Sequence, residues 1–133
     1  MNRVFADTSY FIAVLAPDDA NHVEAKKWSD HLPVVVTTAW VMTELAAYLA
    51  APYNRALFHA IIASLRNSPS VQFIPASQEL FDRGIGLYAA RSDKAWSLTD
   101  CISFIVMQRE GLADALTADR HFSQAGFDAL LVS

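Results

Sequence analysis

Four short runs in this chain carry no polar face: Arg3 to Ala6, Val34 to Thr37, Val71 to Pro75 and Ala115 to Thr117. A strand with one wetted side alternates apolar and polar residues, whereas a run that is apolar or β-branched almost throughout needs cover on both faces. Between the runs lie segments whose apolar residues recur at helical spacing or follow helix-capping residues. Strands that alternate with helices are joined by crossovers, and crossovers make neighbouring strands parallel. The expected class is therefore α/β: a three-layer sandwich with helices on both sides of a central, mostly parallel five-stranded sheet. The weakest strand of the five is Ala129 to Val132.

The helical segments follow from capping and spacing. Thr8-Ser9 supplies capping hydroxyls before the apolar run Tyr10 to Leu15. Pro17-Asp18-Asp19 turns the chain into an amphipathic helix from about Ala20 to His31, with Val23 and Trp28 expected to face inward. An apolar helix is expected from Ala39 to Ala50, ended by Pro52, and another from Asn54 to Arg66, ended by Asn67-Ser68-Pro69-Ser70. These two read as a hairpin projecting beyond the sheet. Gln78 to Arg91 forms the next helix, Ser92 to Trp96 a loop, and Asp100 to Glu110 a helix capped by Gly111. His121 to Gly126 reads as a turn or a helical stub.

At 133 residues, the chain (1–133) fits one domain with a real core. Hydrophobic residues at 53% and charged residues at 18% are incompatible with disorder. The longest apolar stretch, Thr37 to Pro52, carries Glu44 in its middle and is too short for a bilayer, so no membrane span is expected. An acid arrives at Asp7, before a secretion signal could form, and the single Cys101 has no intramolecular partner, so the expected location is cytoplasmic. The formal net charge of -4 disfavours binding a polyanion through the bulk field. A nucleic-acid substrate would need bound cations and a basic rim, for which Arg55, Arg83, Arg91, Lys94, Arg109 and Arg120 are candidates.

Four acids stand out. Asp7 follows the first strand and precedes Thr8-Ser9. Asp100 stands three residues after Ser97, a capping-box spacing, and Asp119 follows the strand Ala115 to Thr117. Each of these could be no more than a helix or turn cap. Glu44 has no such explanation, because the residues three and four positions away, Trp40, Val41, Ala47 and Tyr48, include no basic partner. A buried, unpaired carboxylate costs several kcal/mol or takes up a proton. Asp7 and Asp119 both fall at carboxyl ends of strands, where open parallel sheets bind ligands. Asp114 is a weaker candidate, because it lies at the entry to its strand.

The motifs Val4-Phe5-Ala6-Asp7-Thr8-Ser9, Thr43-Glu44-Leu45, Ser97-Leu98-Thr99-Asp100 and Leu116-Thr117-Ala118-Asp119-Arg120-His121-Phe122, followed by Ala125-Gly126-Phe127, occur in this order. Together they resemble the PIN-domain family, most closely its small bacterial VapC-type toxins, over essentially the whole chain. The resemblance implies a Rossmann-like parallel sheet and a ribonuclease site with core acids at Asp7, Glu44 and Asp100 and a more variable fourth at Asp119. It implies that Thr8 or Ser9, Thr99 and Thr117 orient acids or water. It also implies a homodimer and, for a genuine toxin, an antitoxin that places a basic side chain among the acids.

Hard oxygen donors suit Mg²⁺, with Mn²⁺ as a substitute. Asp7 and Asp100 are expected to hold the principal ion, with Glu44 and Asp119 acting on the attacking water or completing a second site. His121 reads as a structural turn residue, although it could contact phosphate or act as an acid. Trp40, Trp96 and Tyr10 could stack on bases, but as core residues they need no such role. Cys101 reads as a small buried residue.

Phosphoryl-transfer folds of the haloacid-dehalogenase or receiver type also end their first strand in Asp. The former wants a second Asp where this chain has Ser9, and the latter wants acids before Asp7 and a late lysine. The remaining alternative is a non-toxin or catalytically silent PIN domain acting in RNA binding or processing.

Overall fold

The computed structural model describes residues 2–132. Five strands, β1 (Arg3–Ala6), β2 (Val34–Thr38), β3 (Val71–Ile74), β4 (Asp114–Leu116) and β5 (Asp128–Ala129), form one sheet in the order β3-β2-β1-β4-β5. Every pairing is parallel. The helices are α1 (Thr8–Leu15), α2 (His22–Asp30), α3 (Ala39–Tyr48), α4 (Arg55–Asn67), α5 (Gln78–Ala90), α6 (Leu98–Glu110) and α7 (Arg120–Gln124), with a 3₁₀ turn at Pro52–Asn54 before α4. No helix among the described residues is long and apolar enough to cross a membrane.

Alternation along the strands divides the core in two. Phe5, Val36 and Ala115 point to one face, where Leu45, Leu80, Phe104, Met107 and Phe122 from α3, α5, α6 and α7 cover them. Their neighbours Val4, Ala6, Val35 and Leu116 point to the other face, against Tyr10 and Ala13 of α1 and Ala25 of α2. All these strand residues are at most 3% exposed, which is why the runs had no polar face to give.

Three expectations change. Val23 is 67% exposed, because it lies five residues from Trp28, about 140° round the helix, and it is Trp28 that packs inward, with buried Ala25. The α3–α4 pair does not project from the sheet: Ile61, Ile62 and Leu65 of α4 pack on the core before the chain enters β3. The fifth strand comes earlier and is shorter than expected, although Leu130 and Leu131 still donate to Ala115 and Thr117 at 2.9 and 3.0 Å.

Chain order places β1 at the switch point. From β1 the chain builds outward to β2 and β3, then returns to add β4 and β5 on the other side. The crevice outside the carboxyl ends of β1 and β4 is where such sheets place ligands.

Candidate active site

One residue, Asp7, separates β1 from α1. It occupies the N-cap position with extended backbone (φ -92, ψ 167) but makes no side-chain capping bond, so the capping explanation fails for this acid. Its carboxylate turns instead toward the end of β4. Thr117 Oγ1 donates to Asp7 Oδ2 at 3.0 Å, and Ser9 Oγ lies 3.4 Å from the same oxygen and 3.0 Å from Thr117 Oγ1. The amides of Ala118 and Asp119 donate to Ser9 Oγ and Thr117 Oγ1, each at 3.0 Å. A short hydroxyl network thus stitches the two strand ends together beneath the crevice.

Asp7 is only 5% exposed. Burial is the main reason that its carboxyl is pushed up to about 7, and the charges of Asp100 and Glu44 push the same way. The Thr8 amide and the Thr117 hydroxyl pull it back without compensating fully. Asp7, Asp100 and Glu44 are therefore electrostatic neighbours, although they come from an interstrand turn and two different helices.

Glu44 differs from its sequence reading. It is half-buried rather than sunk in the core, and its Oε1 accepts from Thr8 Oγ1 at 2.5 Å. Its partner is a hydroxyl from the start of α1, which no inspection of spacing within α3 could reveal.

Asp100 and Asp119 are true caps. Ser97 and Asp100 form a reciprocal capping box, with Ser97 N donating to Asp100 Oδ2 and Asp100 N to Ser97 Oγ, both at 3.0 Å. Asp119 Oδ1 accepts from His121 N at 2.8 Å and caps α7. In each acid the cap uses one oxygen, and the other has no hydrogen-bond partner among the described residues. Asp100, Asp119 and His121 each present one ligand atom within 4.8 Å of the others, the one such group among the described residues. Asp7 and Glu44 lie beside this group, outside that spacing.

Thr99 is half-buried and its hydroxyl makes no bond among the described residues. Asp114 pairs with Asp128 at the far end of β4, away from the crevice. Tyr10 and Trp96 are 4% and 6% exposed and cannot offer a ring face to a base; Trp40 is half-buried. Cys101 is buried, as expected.

Residues 4–128 match the PIN domain. The chain belongs to the PIN-domain family. It is 31% identical over 128 residues to the 23S rRNA-specific endonuclease VapC20 of Mycobacterium tuberculosis, covering 93% of this chain and 95% of that protein. The crystal structure of VapC20, a Sarcin-Ricin loop cleaving toxin, matches with a TM-score of 0.82 at 30% identity, over 93% of this chain and 95% of that one. FitAcB from Neisseria gonorrhoeae shares the fold, with a TM-score of 0.64 at 19% identity over 95% of this chain and 94% of that one. The five-stranded parallel sheet of this PIN domain is the Rossmann-like sandwich that the motifs implied.

His121 is the residue of this PIN domain that sequence reasoning set aside. Its ring sits within the acidic group, with Nδ1 2.9 Å from Asp100 Oδ2 and 3.3 Å from Asp119 Oδ1. The available signal was its position two residues after an acid at a helix start, where a side chain can fold back over the cap.

Proposed function

We propose that this PIN domain is a metal-dependent endoribonuclease, the toxin of a toxin–antitoxin pair, in which Asp7, Glu44, Asp100 and Asp119 hold Mg²⁺ or Mn²⁺. The observation that carries the proposal is Asp7: a nearly inaccessible carboxyl held by hydroxyls, with no basic partner in contact among the described residues and with two further acids acting on it. A hard divalent cation suits such a donor set, since oxygen ligands predominate and Asp100 and Asp119 each keep one oxygen uncommitted. When bound, the cation lowers the pKa of a coordinated water and offsets charge on the phosphate.

The chain's own residues fix the geometry. The Ser9–Thr117 network holds Asp7, Thr8 holds Glu44, and the Ser97 box holds Asp100 against the first turn of α6. Arg120 is exposed beside Asp119, and Lys94 lies in the loop before Ser97. Both suit an RNA backbone. Arg91 and Arg109 are engaged with Asp93 and Glu79.

The expected partners are RNA, a cognate antitoxin that sets a basic side chain among the acids, and a second copy of the chain. A stripe on α5 supports the homodimer: Phe81, Ile85 and Tyr88 are 38%, 43% and 54% exposed on one helical face. The proposed location is cytoplasmic, where RNA is met.

Purified protein should cleave single-stranded RNA or a 23S rRNA hairpin with Mn²⁺ or Mg²⁺ present, and lose the activity in EDTA. D7N should be inactive in the same assay. Cleavage that survives EDTA, or that persists in D7N, would overturn the metal reading. Absence of both Mn²⁺ binding and cleavage in the pure wild type would favour a silent RNA-binding role.

A further inference from the structure

We infer that His121 is a positioning residue of the acidic site, clamping Asp100 and Asp119 through Nδ1 so that the uncommitted oxygen of each carboxylate faces the cation. This rests on the proposed metal site and adds to it a residue that is not one of the four acids.

The clamp joins two elements that meet only in the folded chain. Asp100 lies in the first turn of α6, and Asp119 caps α7. Between them stands the imidazole, with Nδ1 2.9 Å from Asp100 Oδ2 and 3.3 Å from Asp119 Oδ1. Carboxylate oxygens accept, so Nδ1 carries the proton and donates. The same two oxygens already accept from the backbone amides of Ser97 and His121 itself. Asp100 Oδ2 is therefore fixed twice, by the Ser97 amide and by the ring, while Asp119 Oδ1 is fixed by the His121 amide with the ring nitrogen 3.3 Å away, so one residue restricts the rotation of both carboxylates. Groups that lock ligands in this way govern metal affinity without touching the metal.

The ring is held from below. Phe122, the next residue, is fully buried and packs edge-on against Phe104 of α6, with ring centroids 4.9 Å apart. Phe104 in turn meets Trp96 at 5.0 Å, and Trp96 Nε1 donates to Gln124 Oε1 of α7 at 3.0 Å. The short helix α7 is thus pinned over α6 by aromatic packing on one side and by His121 on the other. Nε2, in contrast, makes no hydrogen bond among the described residues.

Covalent geometry supplies the test. The amide nitrogen of Asn lies as many bonds from Cα as Nδ1 of His, whereas that of Gln lies one bond further out, nearer the place of Nε2. Full-length wild type, H121A, H121N and H121Q are titrated with Mn²⁺ by calorimetry, and kcat and KM for RNA are measured alongside thermal midpoints. H121A should weaken Mn²⁺ binding by about 10- to 100-fold, the range found for residues that orient metal ligands, and lower kcat with KM for RNA nearly unchanged. H121N should recover most of the Mn²⁺ affinity, and H121Q should not. If H121A fails to fold, the Asn and Gln variants carry the comparison.

Unchanged Mn²⁺ affinity in H121A overturns the inference. So does recovery by Gln instead of Asn, which would make Nε2 a substrate contact, or an equal loss of thermal midpoint in all variants with no change in Mn²⁺ affinity. A wild type that binds no Mn²⁺ overturns the metal site itself, an outcome distinct from the failure of His121 alone.

Discussion

The Thr117 hydroxyl donates to Asp7 Oδ2 at 3.0 Å, joining the carboxyl ends of β1 and β4 across 110 residues of sequence. Thr117 is fully buried, so Thr117→Val keeps the shape and removes the donor. The exchange also removes the acceptor of the Asp119 amide and the Ser9 hydroxyl's partner, and should destabilise the fold by about 1–3 kcal/mol, the cost of leaving buried polar groups unsatisfied. Because the Thr117–Asp7 bond favours the ionised carboxylate, its loss pushes the Asp7 pKa higher still. Binding of Mn²⁺, which needs the ionised carboxylate, should follow a pH profile moved to higher pH, with affinity at pH 7 reduced about 10-fold. A profile identical to that of wild type would detach Thr117 from the chemistry.

Asp7 also makes the metal-free protein pH-sensitive. Its carboxyl has a reference pKa of 3.8 and is pushed up to about 7 by burial in the folded chain. Between these values the folded state binds more protons than the unfolded one, so stability falls as pH rises. The contribution is fully present below 3.8 and is gone above about 7, a difference on the order of 4 kcal/mol at most. Asp7→Asn removes the titration: urea unfolding in EDTA should show the variant more stable than wild type at pH 8 and flatter across the window. Its cleavage activity should fall by at least about 100-fold. A wild type whose metal-free stability rises from pH 5 to pH 8 would contradict the assignment.

Fold class was legible because burial on both faces leaves a mark on composition: the adjacent Val35 and Val36 point to opposite faces and both are buried. Strand order was not, since nothing local in β1 says that β2 and β4 will flank it. Asp7 and Asp119 could be placed at strand ends because those strands were recognisable. Glu44 was singled out for a lack of partners within its own helix, whereas its partner, Thr8, comes from 36 residues away. His121 looked like an ordinary turn histidine because its partner Asp100 is 21 residues distant and belongs to another helix. Spacing along the chain reports contacts within an element and misses those made where elements converge, and this site is built almost wholly of the latter.

Gly84 should prove indispensable to the packing of α5 on α6. A Cβ at this position would overlap Ile102 Cγ1, and Ile102 is fully buried and has little room to retreat. Alanine gains up to about 1 kcal/mol of helix propensity over glycine, while overpacking a core costs about 1–3 kcal/mol. The steric term wins, and Gly84→Ala should lose about 1–2 kcal/mol net. In an Ile102→Ala background the same change should be neutral or stabilising, which a double-mutant cycle by urea unfolding will read directly. Equal costs in both backgrounds would place the effect elsewhere.

The exposed stripe of Phe81, Ile85 and Tyr88 on α5 should be the contact between two copies of the chain. The three residues stand at i, i+4 and i+7, so they share one face, and Leu80 and Gly84, about a quarter-turn round the helix, anchor α5 to the core. A two-fold axis across such a face buries each residue twice. At about 1.5–3 kcal/mol for full burial of a large apolar side chain, partial burial of six side chains is enough to offset the entropy of association. Ile85→Lys and Tyr88→Lys place unpaired charges at the middle of the stripe and should convert a micromolar dimer to monomer, as read by light scattering on a sizing column. Neither touches the acids, so Mn²⁺ affinity should be retained. A wild type that is monomeric at 100-fold higher concentration would leave the stripe without this role.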